Sequence, residues 1–193
     1  HDELRRQRQM CIRDSFNPQL HYVKFSSKFQ RKNTRPILEA TLKINESTIK
    51  IYNAHFPSNY YDLQMRLESF EALNNLHNSH SHPSIALGDF NISSKDDIKY
   101  NVYKKQAKDW VIAHLEGCNS CDGTYYYNFE KSWSYLDSIF ISRDRGISYD
   151  EKSIQIHKTN FNTYKSTGRP FRFDANSKKG VSDHFAMVAK IDI

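Results

Sequence analysis

The feature that most constrains the fold is a change of hydrophobic period along one short stretch of the chain. Residues 35–44 and 48–55 alternate apolar and polar side chains at period two, with a polar turn at 45–47 between them. This pattern is typical of a β-hairpin. Residues 62–76 then place apolar side chains at helical spacing, with Asp62 as a candidate N-cap. Alternating strands and helices predict a mixed α/β or α+β fold.

Further strands are predicted on both sides of a second helix. The strand segments are apolar or β-rich and cover residues 84–87, 135–142, 153–157 and 185–193, and the helix is predicted over 99–115. No internal repeat or Pro/Gly-rich linker divides the chain, and 193 residues suit a single domain. We expect this domain to cover residues 16–193 and to be monomeric.

The first fifteen residues differ from the rest of the chain. Residues 1–15 have no apolar periodicity, and the sequence begins with His instead of Met. Two interpretations stay open, namely a disordered basic arm and an artefactual segment from a gene model that begins inside the domain. The segment lacks the apolar stretch of a signal peptide. The compartment of the protein therefore stays open.

The net charge is modestly basic and does not identify a partner. Twenty-eight Lys and Arg residues against 22 Asp and Glu give a formal charge of +6. Nucleic acid, phospholipid headgroups and small phosphate esters would all suit this charge, and so would a basic surface that only keeps the chain soluble. The sequence contains no apolar run of the roughly 18 residues that a membrane span needs.

Two of the three cysteines form an isolated CxxC. Cys118 and Cys121 have His114 upstream, but no second ligand pair exists for a structural zinc. A redox CxxC usually begins a helix, whereas this one leads into a Gly-Thr-Tyr segment. We expect plain loop cysteines, or a short disulfide if the protein is exported.

Polar residues with chemical potential follow several of the predicted strands. They are Asn53, His55, Asp89, Asn91, Asp137, Asp183 and His184. Strand ends of an α/β sheet can converge on one mouth, where ligands bind. Hydrolysis of a phosphoester needs a base for water, a cation for the phosphate oxygens and donors that hold the phosphate. Each residue alone is weak support, but the set matches that requirement.

The motifs around these residues resemble one known family. Asn53-Ala-His55, Gly88-Asp-Phe-Asn91, Leu136-Asp-Ser-Ile-Phe140 and Ser182-Asp-His184 are similar, in order and in position, to consecutive motifs of the endonuclease/exonuclease/phosphatase superfamily. Gly123-Thr-Tyr125 and Trp133 also resemble the family. The resemblance covers about residue 35 to the C-terminus. It implies a four-layer α/β sandwich of the deoxyribonuclease I type.

The resemblance also implies roles for the catalytic residues. Asp89 would orient or deprotonate the attacking water, and Asn91 would hold a phosphate oxygen through its amide. His184 would hydrogen-bond the phosphate and stabilise charge, while Asp137 would fix the tautomer of His184. His55 lies where deoxyribonuclease-like members place a second catalytic His.

The implied metal is Mg²⁺ or Mn²⁺, because the ligands are hard oxygens. Asp183 and Asp89 would bind or position this metal. Arg35 resembles a position that contacts phosphate in some nucleases, although an Arg before Pro is also compatible with simple exposure.

A long polar segment between residues 163 and 180 mixes basic and aromatic side chains. Arg169 and Arg172 lie beside Phe171 and Phe173. This mixture suits a phosphodiester ligand, so both arginines are candidate phosphate contacts. A solvated loop is the alternative.

One departure from the family pattern bears on activity. The family carries an Asn and then a metal-binding Glu on strands upstream of the region that begins at Arg35. No such pair is visible in this sequence, and Glu3 is a poor candidate for the metal-binding Glu. We therefore expect a sandwich that is incomplete at the N-terminus, with an apolar sheet face or an unpaired edge exposed. The prediction is a metal-dependent, nuclease-like phosphodiesterase, and whether the given chain is active by itself stays open. The alternatives are a hydrolase for a small phosphoester or a lipid, and a non-catalytic phosphate-binding remnant.

Overall fold

The computed structural model describes residues 15–30, 34–44, 46–118 and 121–193. The expectation for residues 1–15, including Glu3, falls outside these ranges except at Ser15. Within the described ranges, helices and strands alternate as the mixed α+β prediction required. No described helix has both the length and the apolar composition needed to cross a membrane.

The described residues form ten strands, four α-helices and one short 3-10 helix. The strands are β1 (Ser15–His21), β2 (Ile37–Ile44), β3 (Ser47–His55), β4 (Ser84–Asp89), β5 (Trp110–Ile112), β6 (Tyr125–Tyr127), β7 (Ser132–Ser134), β8 (Asp137–Ser142), β9 (Ser148–His157) and β10 (Ala186–Asp192). The helices are α1 (Leu63–Asn78), α2 (Ser94–Tyr100), α3 (Val102–Gln106) and α4 (Ala113–Glu116), with the 3-10 turn at Ser27–Phe29.

Six of the strands form one mixed sheet in the order β1-β2-β3-β4-β8-β5. The β2–β3 hairpin is antiparallel, as its alternating pattern predicted, while β3 and β4 are parallel and are connected through α1. Asp62 caps α1, because its carboxylate accepts a hydrogen bond from the Gln64 amide at 3.0 Å. Strands β9 and β10 form a separate antiparallel pair, and so do β6 and β7.

The core lies between the six-stranded sheet and α1 and is largely aromatic. Phe70 of α1 packs edge-on against Phe56 at a ring-centroid distance of 4.9 Å and stacks on Phe140 at 5.8 Å. Phe90 and Phe140 stack at 4.5 Å, directly beneath the end of β4. Fully burying each such ring contributes roughly 1.5–3 kcal/mol. The strand end that carries Asp89 therefore rests on a rigid aromatic layer.

The single helix predicted over residues 99–115 is wrong. The chain instead forms α2, α3, β5 and α4. Asn101 adopts a left-handed conformation with φ of 51°, which ends α2. Trp110, Val111 and Ile112 then pair with β8 as a strand. The apolar spacing in this segment reflects burial against the core from two different elements, because aromatic and β-branched side chains favour the sheet.

The second face of the six-stranded sheet is apolar and partly covered. Leu87 and Ile139 on this face line a groove of about 440 Å³ together with Met187 and Val188 of β10. Near the other edge, Leu38 is 37% exposed.

The two cysteines of the CxxC are joined. Cys118 and Cys121 form a disulfide, which agrees with one of the two expected outcomes. His114 is not associated with them, because its Nδ1 lies 2.8 Å from the Ser138 hydroxyl in the core.

Candidate active site

Three of the predicted site residues lie side by side in one row across the sheet. His55 at the end of β3 is paired in register with Asp89 at the end of β4. Asp89 is in turn paired with Asp137 at the start of β8. Paired residues on adjacent strands project their side chains to the same face. The row therefore presents an imidazole and two carboxylates to the same side of the sheet.

The row depends on a glycine directly before Asp89. Gly88 has φ of +138°, and a Cβ atom at this position would lie 1.9 Å from the carbonyl oxygen of Ala54. The close approach of β3 to β4 thus requires glycine. This close approach positions Asp89 next to His55, and a carboxylate oxygen of Asp89 lies 3.6 Å from Nε2 of His55.

His184 reaches the row from a distant part of the sequence. Its Nδ1 lies 2.7 Å from Oδ2 of Asp137. Thr124 holds the two segments together, because its hydroxyl accepts from the Asp137 amide at 3.1 Å and its carbonyl accepts from the Phe185 amide at 2.8 Å. With Nδ1 bound, the free ring nitrogen of His184 is Nε2.

Burial and neighbouring charges shift the pKa values of the site residues in different directions. Burial, reinforced by the charge of Asp137, raises the pKa of Asp89 to about 6. Burial and the charge of Arg35 lower the pKa of His55. Burial alone would lower the pKa of His184, but its hydrogen bond to Asp137 and the surrounding carboxylate charges raise it overall. The arrangement thus shifts His55 toward its neutral form and His184 toward its protonated form.

Asn91 is held firmly at the edge of the row. It is buried, has φ of 54°, and its backbone amide donates to Oδ1 of Asp89 at 2.9 Å. Its side-chain amide donates to the carbonyl of Phe56 at 3.0 Å. An amide group has two donor hydrogens. Within the described residues, the second amide hydrogen of Asn91 has no acceptor.

A divalent metal would find a suitable donor set in the row. The candidate ligand atoms of Asp89, Asp137 and His184 all lie within 4.8 Å of one another, but the two carboxylates would hold the metal, because the hydrogen bond to Asp137 shifts His184 toward its protonated form, which has no lone pair for a metal. Asp137 keeps its second carboxylate oxygen while Oδ2 binds His184. Two hard carboxylates at this spacing fit Mg²⁺ or Mn²⁺. Asp183, the other predicted metal residue, is exposed and is not part of this group.

The predicted phosphate contact Arg35 lies at the margin of the site. It is exposed, and its charge adds to the lowering of the pKa of His55 by burial and weakly opposes the rise in the pKa of Asp89. Arg35 thus lies within electrostatic reach of the row. The structure also places six of the other predicted residues in or beside the row, namely His55, Asp89, Asn91, Asp137, Asp183 and His184.

The remaining two predicted residues, Arg169 and Arg172, lie in a neighbouring cleft. The cleft beside the row has a volume of about 650 Å³ and is lined in part by Asn91 and His184. The second cleft, of about 430 Å³, contains both arginines. Tyr125 and Asp183 line both clefts, and the Tyr125 ring lies 4.9 Å from the His184 ring.

Sequence reasoning missed the roles of Thr124 and Tyr125. Their segment was noted only because Gly123-Thr-Tyr125 resembles the family. Gly123 has φ of +153°, and a Cβ there would lie 2.8 Å from the Ser134 carbonyl oxygen. A glycine before a β-branched residue was the available signal for a close backbone approach.

Comparison with known proteins supports the fold. No family model and no curated protein sequence matches the chain. Among solved structures, D. rerio TDP2 complexed with a single-strand DNA product matches with a TM-score of 0.65 and 12% identity, over 93% of this chain and 68% of that one. An endonuclease/exonuclease/phosphatase family protein from Leptotrichia buccalis matches with a TM-score of 0.55 and 19% identity, over 92% and 61%. A mannosyl-6-phosphatase from Bacteroides thetaiotaomicron gives 0.60 and 14%, over 94% and 68%.

The chain therefore has the fold of the endonuclease/exonuclease/phosphatase proteins, and the expected fold class is confirmed. It spans between 61% and 68% of the length of these three structures. The structures share a fold while differing in what they act on, so the reaction and the substrate must be argued from the site.

Proposed function

We propose that this chain carries the reaction centre of a divalent-metal-dependent phosphoesterase that hydrolyses phosphodiester bonds, with nucleic acid as the leading substrate class. The observation that carries the proposal is the row of His55, Asp89 and Asp137 with His184 bonded to its end. It combines a base, oxygen ligands for a metal and a cationic donor within one small volume. Phosphoryl transfer needs these groups.

Each side chain has a distinct task in this proposal. Asp89, with a pKa near 6, accepts the proton of the attacking water above that pH. The water oxygen forms the new bond to phosphorus, and the P–O ester bond on the opposite side breaks. His184 donates from Nε2 to a phosphate oxygen, with its charge stabilised by Asp137. His55 in the row and Asn91 at its edge supply further hydrogen-bond donors.

Asp89 and Asp137 would hold the metal through carboxylate oxygens. When bound, Mg²⁺ or Mn²⁺ supplies positive charge that stabilises the anionic phosphate oxygens in the transition state. The ligand group in the described residues contains no Glu. Weak metal binding would favour the second candidate function, a phosphate-binding protein without catalysis.

The test is hydrolysis of bis(p-nitrophenyl) phosphate and of plasmid DNA, measured with Mg²⁺ or Mn²⁺ and again with EDTA. We expect metal-dependent turnover that falls by a factor of about 10²–10⁴ in Asp89→Ala and in His184→Ala. Lys105→Ala, which changes an exposed residue of α3, serves as the matched control. Turnover that persists in EDTA would contradict the mechanism. Metal-independent binding of inorganic phosphate without any turnover would support the second candidate.

A further inference from the structure

The second cleft continues the first one past Tyr125. It has a volume of about 430 Å³ and lies between the β6–β7 hairpin and the segment from Tyr164 to Arg172. Because Tyr125 and Asp183 line both clefts, a ligand bound at His184 can extend directly into the second cleft.

One arginine in this cleft is held in a fixed position. The Arg169 guanidinium lies 3.7 Å from the centroid of the Tyr126 ring. Its Nη2 donates to the Tyr126 hydroxyl at 2.9 Å, and its Nη1 donates to Oδ1 of Asn128 at 3.0 Å. Both acceptors are neutral. The charge is therefore oriented by its neighbours without being neutralised by them.

Within the described residues, no ion pair neutralises the arginines of the second cleft. Within residues 15–30, 34–44, 46–118 and 121–193, neither Arg169 nor Arg172 forms an ion pair. Arg172 lines the second cleft, and Asp183 lies where the two clefts meet. Burial and the charge of Asp183 raise the pKa of Tyr125, while the charge of Arg172 opposes this rise. Two guanidinium groups against one carboxylate leave the second cleft positive.

The segment that carries the arginines is ordered by its own hydrogen bonds. The Tyr164 amide donates to the Arg169 carbonyl at 2.9 Å, and the Val181 amide donates to the Phe171 carbonyl at 2.7 Å. The Tyr164 and Phe171 rings lie 4.1 Å apart. These contacts favour an ordered segment that forms one wall of the second cleft over the alternative interpretation, a solvated loop.

The first cleft contains more carboxylates than basic side chains away from the row. Its lining includes Lys95 but also the carboxylates of Asp96, Glu130 and Asp183. Away from the row itself, it offers no excess of positive charge for a second anionic group. The two clefts therefore differ in which part of a substrate they can accept.

We propose that the second cleft binds a second phosphate group of the same substrate molecule, next to the phosphate that reacts at His184, as the neighbouring phosphate of a nucleic acid would be. This inference rests on the proposed function for the identity of the reacting phosphate. Arg169 and Arg172 bind the second phosphate, because a guanidinium suits bidentate contact with phosphate oxygens. The first cleft accepts the uncharged part of the substrate on the other side.

Binding in EDTA tests the cleft independently of turnover. The probe is a fluorescein-labelled hexathymidylate, measured by fluorescence anisotropy at several salt concentrations. We expect Arg169→Gln and Arg172→Gln each to weaken binding by about five- to tenfold and to reduce the slope of log K against log salt by about 0.7, the value for one contact with a single strand. Lys105→Gln removes the same charge from exposed α3 and should change neither quantity.

Small competitors separate a phosphate subsite from general attraction of a polyanion. Thymidine 3′,5′-bisphosphate should displace the probe at about tenfold lower concentration than thymidine 5′-monophosphate, and this preference should be lost in Arg172→Gln. Arg172 makes no side-chain hydrogen bond within the described residues, so this variant is expected to fold normally. Equal displacement by both competitors, or unchanged binding in both arginine variants, would overturn the proposal.

The two proposals can fail separately. Normal hydrolysis of bis(p-nitrophenyl) phosphate with unchanged binding in the arginine variants would remove the second-phosphate site and leave the proposed function. Binding that depends on both arginines, in a protein without turnover, would remove the proposed function and leave the site.

Discussion

Nδ1 of His184 and Oδ2 of Asp137 lie 2.7 Å apart, although 47 residues separate them in the sequence. The bond orients the imidazole, and the carboxylate charge stabilises the protonated ring. In the proposed mechanism Asp137 therefore acts on the phosphate through His184, in addition to its place in the candidate metal-ligand group. Mutations of the two residues should therefore have non-additive effects.

Asp137→Asn should retain the fold and lower kcat/KM by impairing His184. His184→Ala should cost on the order of 3–5 kcal/mol of transition-state stabilisation. The double variant should be little worse than His184→Ala alone, because an orienting residue has no effect once the ring is absent. The measurement is kcat/KM for both single variants and the double variant. Effects that simply add would contradict the coupling.

Asp89→Asn should stabilise the metal-free protein while abolishing activity. Because the folded state raises the pKa of Asp89 from 3.8 to about 6, Asp89 favours folding when protonated, and this contribution is lost as pH rises through about 6. At pH 7.5 the neutral amide should raise the free energy of unfolding by roughly 1–3 kcal/mol.

This difference should disappear near pH 4, where Asp89 is protonated. Urea titrations in EDTA at both pH values provide the measurement. Adding Mg²⁺ should raise the Tm of the wild type more than that of the variant, because binding to the folded state is stabilising. A variant that is less stable than the wild type at pH 7.5 would refute the electrostatic account.

Gly88→Ala should disrupt the β3–β4 contact. The added Cβ would meet the Ala54 carbonyl oxygen at 1.9 Å, and the backbone φ of +138° already disfavours a side chain. We expect a loss of about 3 kcal/mol or more in unfolding free energy, together with loss of activity. Gly146→Ala is the matched control, since φ there is +76° but no atom lies within 4 Å, and it should cost only about 1 kcal/mol. Similar losses in both variants would contradict the steric explanation.

His114→Gln should change how stability depends on pH. Burial lowers the pKa of His114 from 6.5 to about 3, so between these values the unfolded state binds a proton that the folded state does not. Stability contributed by the neutral ring is complete above about pH 6.5 and is lost as pH falls. The variant should reduce the slope of unfolding free energy between pH 6 and 4 by about 1.4 kcal/mol per pH unit. An unchanged slope would show that His114 is protonated in the folded state.

That His55, Asp89 and Asp137 lie together could be predicted from the sequence because these residues are at the ends of strands. The hairpin pattern of residues 35–55 placed His55 at a strand end, and the apolar run before Gly88 did the same for Asp89. Parallel and antiparallel pairing then brought these ends together, as expected for a sheet. Local periodicity carries this information directly.

Other features depend on contacts that periodicity does not encode. Trp110 is apolar whether it belongs to a helix or to an edge strand, and only its pairing with Ser142 decides the matter. Likewise, the position of Arg169 depends on Tyr126 and Asn128, which lie more than 40 residues away. Such long-range partners could not be inferred from the spacing of side chains.

The row of His55, Asp89 and Asp137 also bears on how this protein can change during evolution. The separation of these groups follows from the distance between neighbouring strands, so exchanging one core side chain for another of similar volume leaves it intact. A single inserted residue within β4 would instead move Asp89 to the opposite face. The strands should therefore tolerate substitutions but resist insertions.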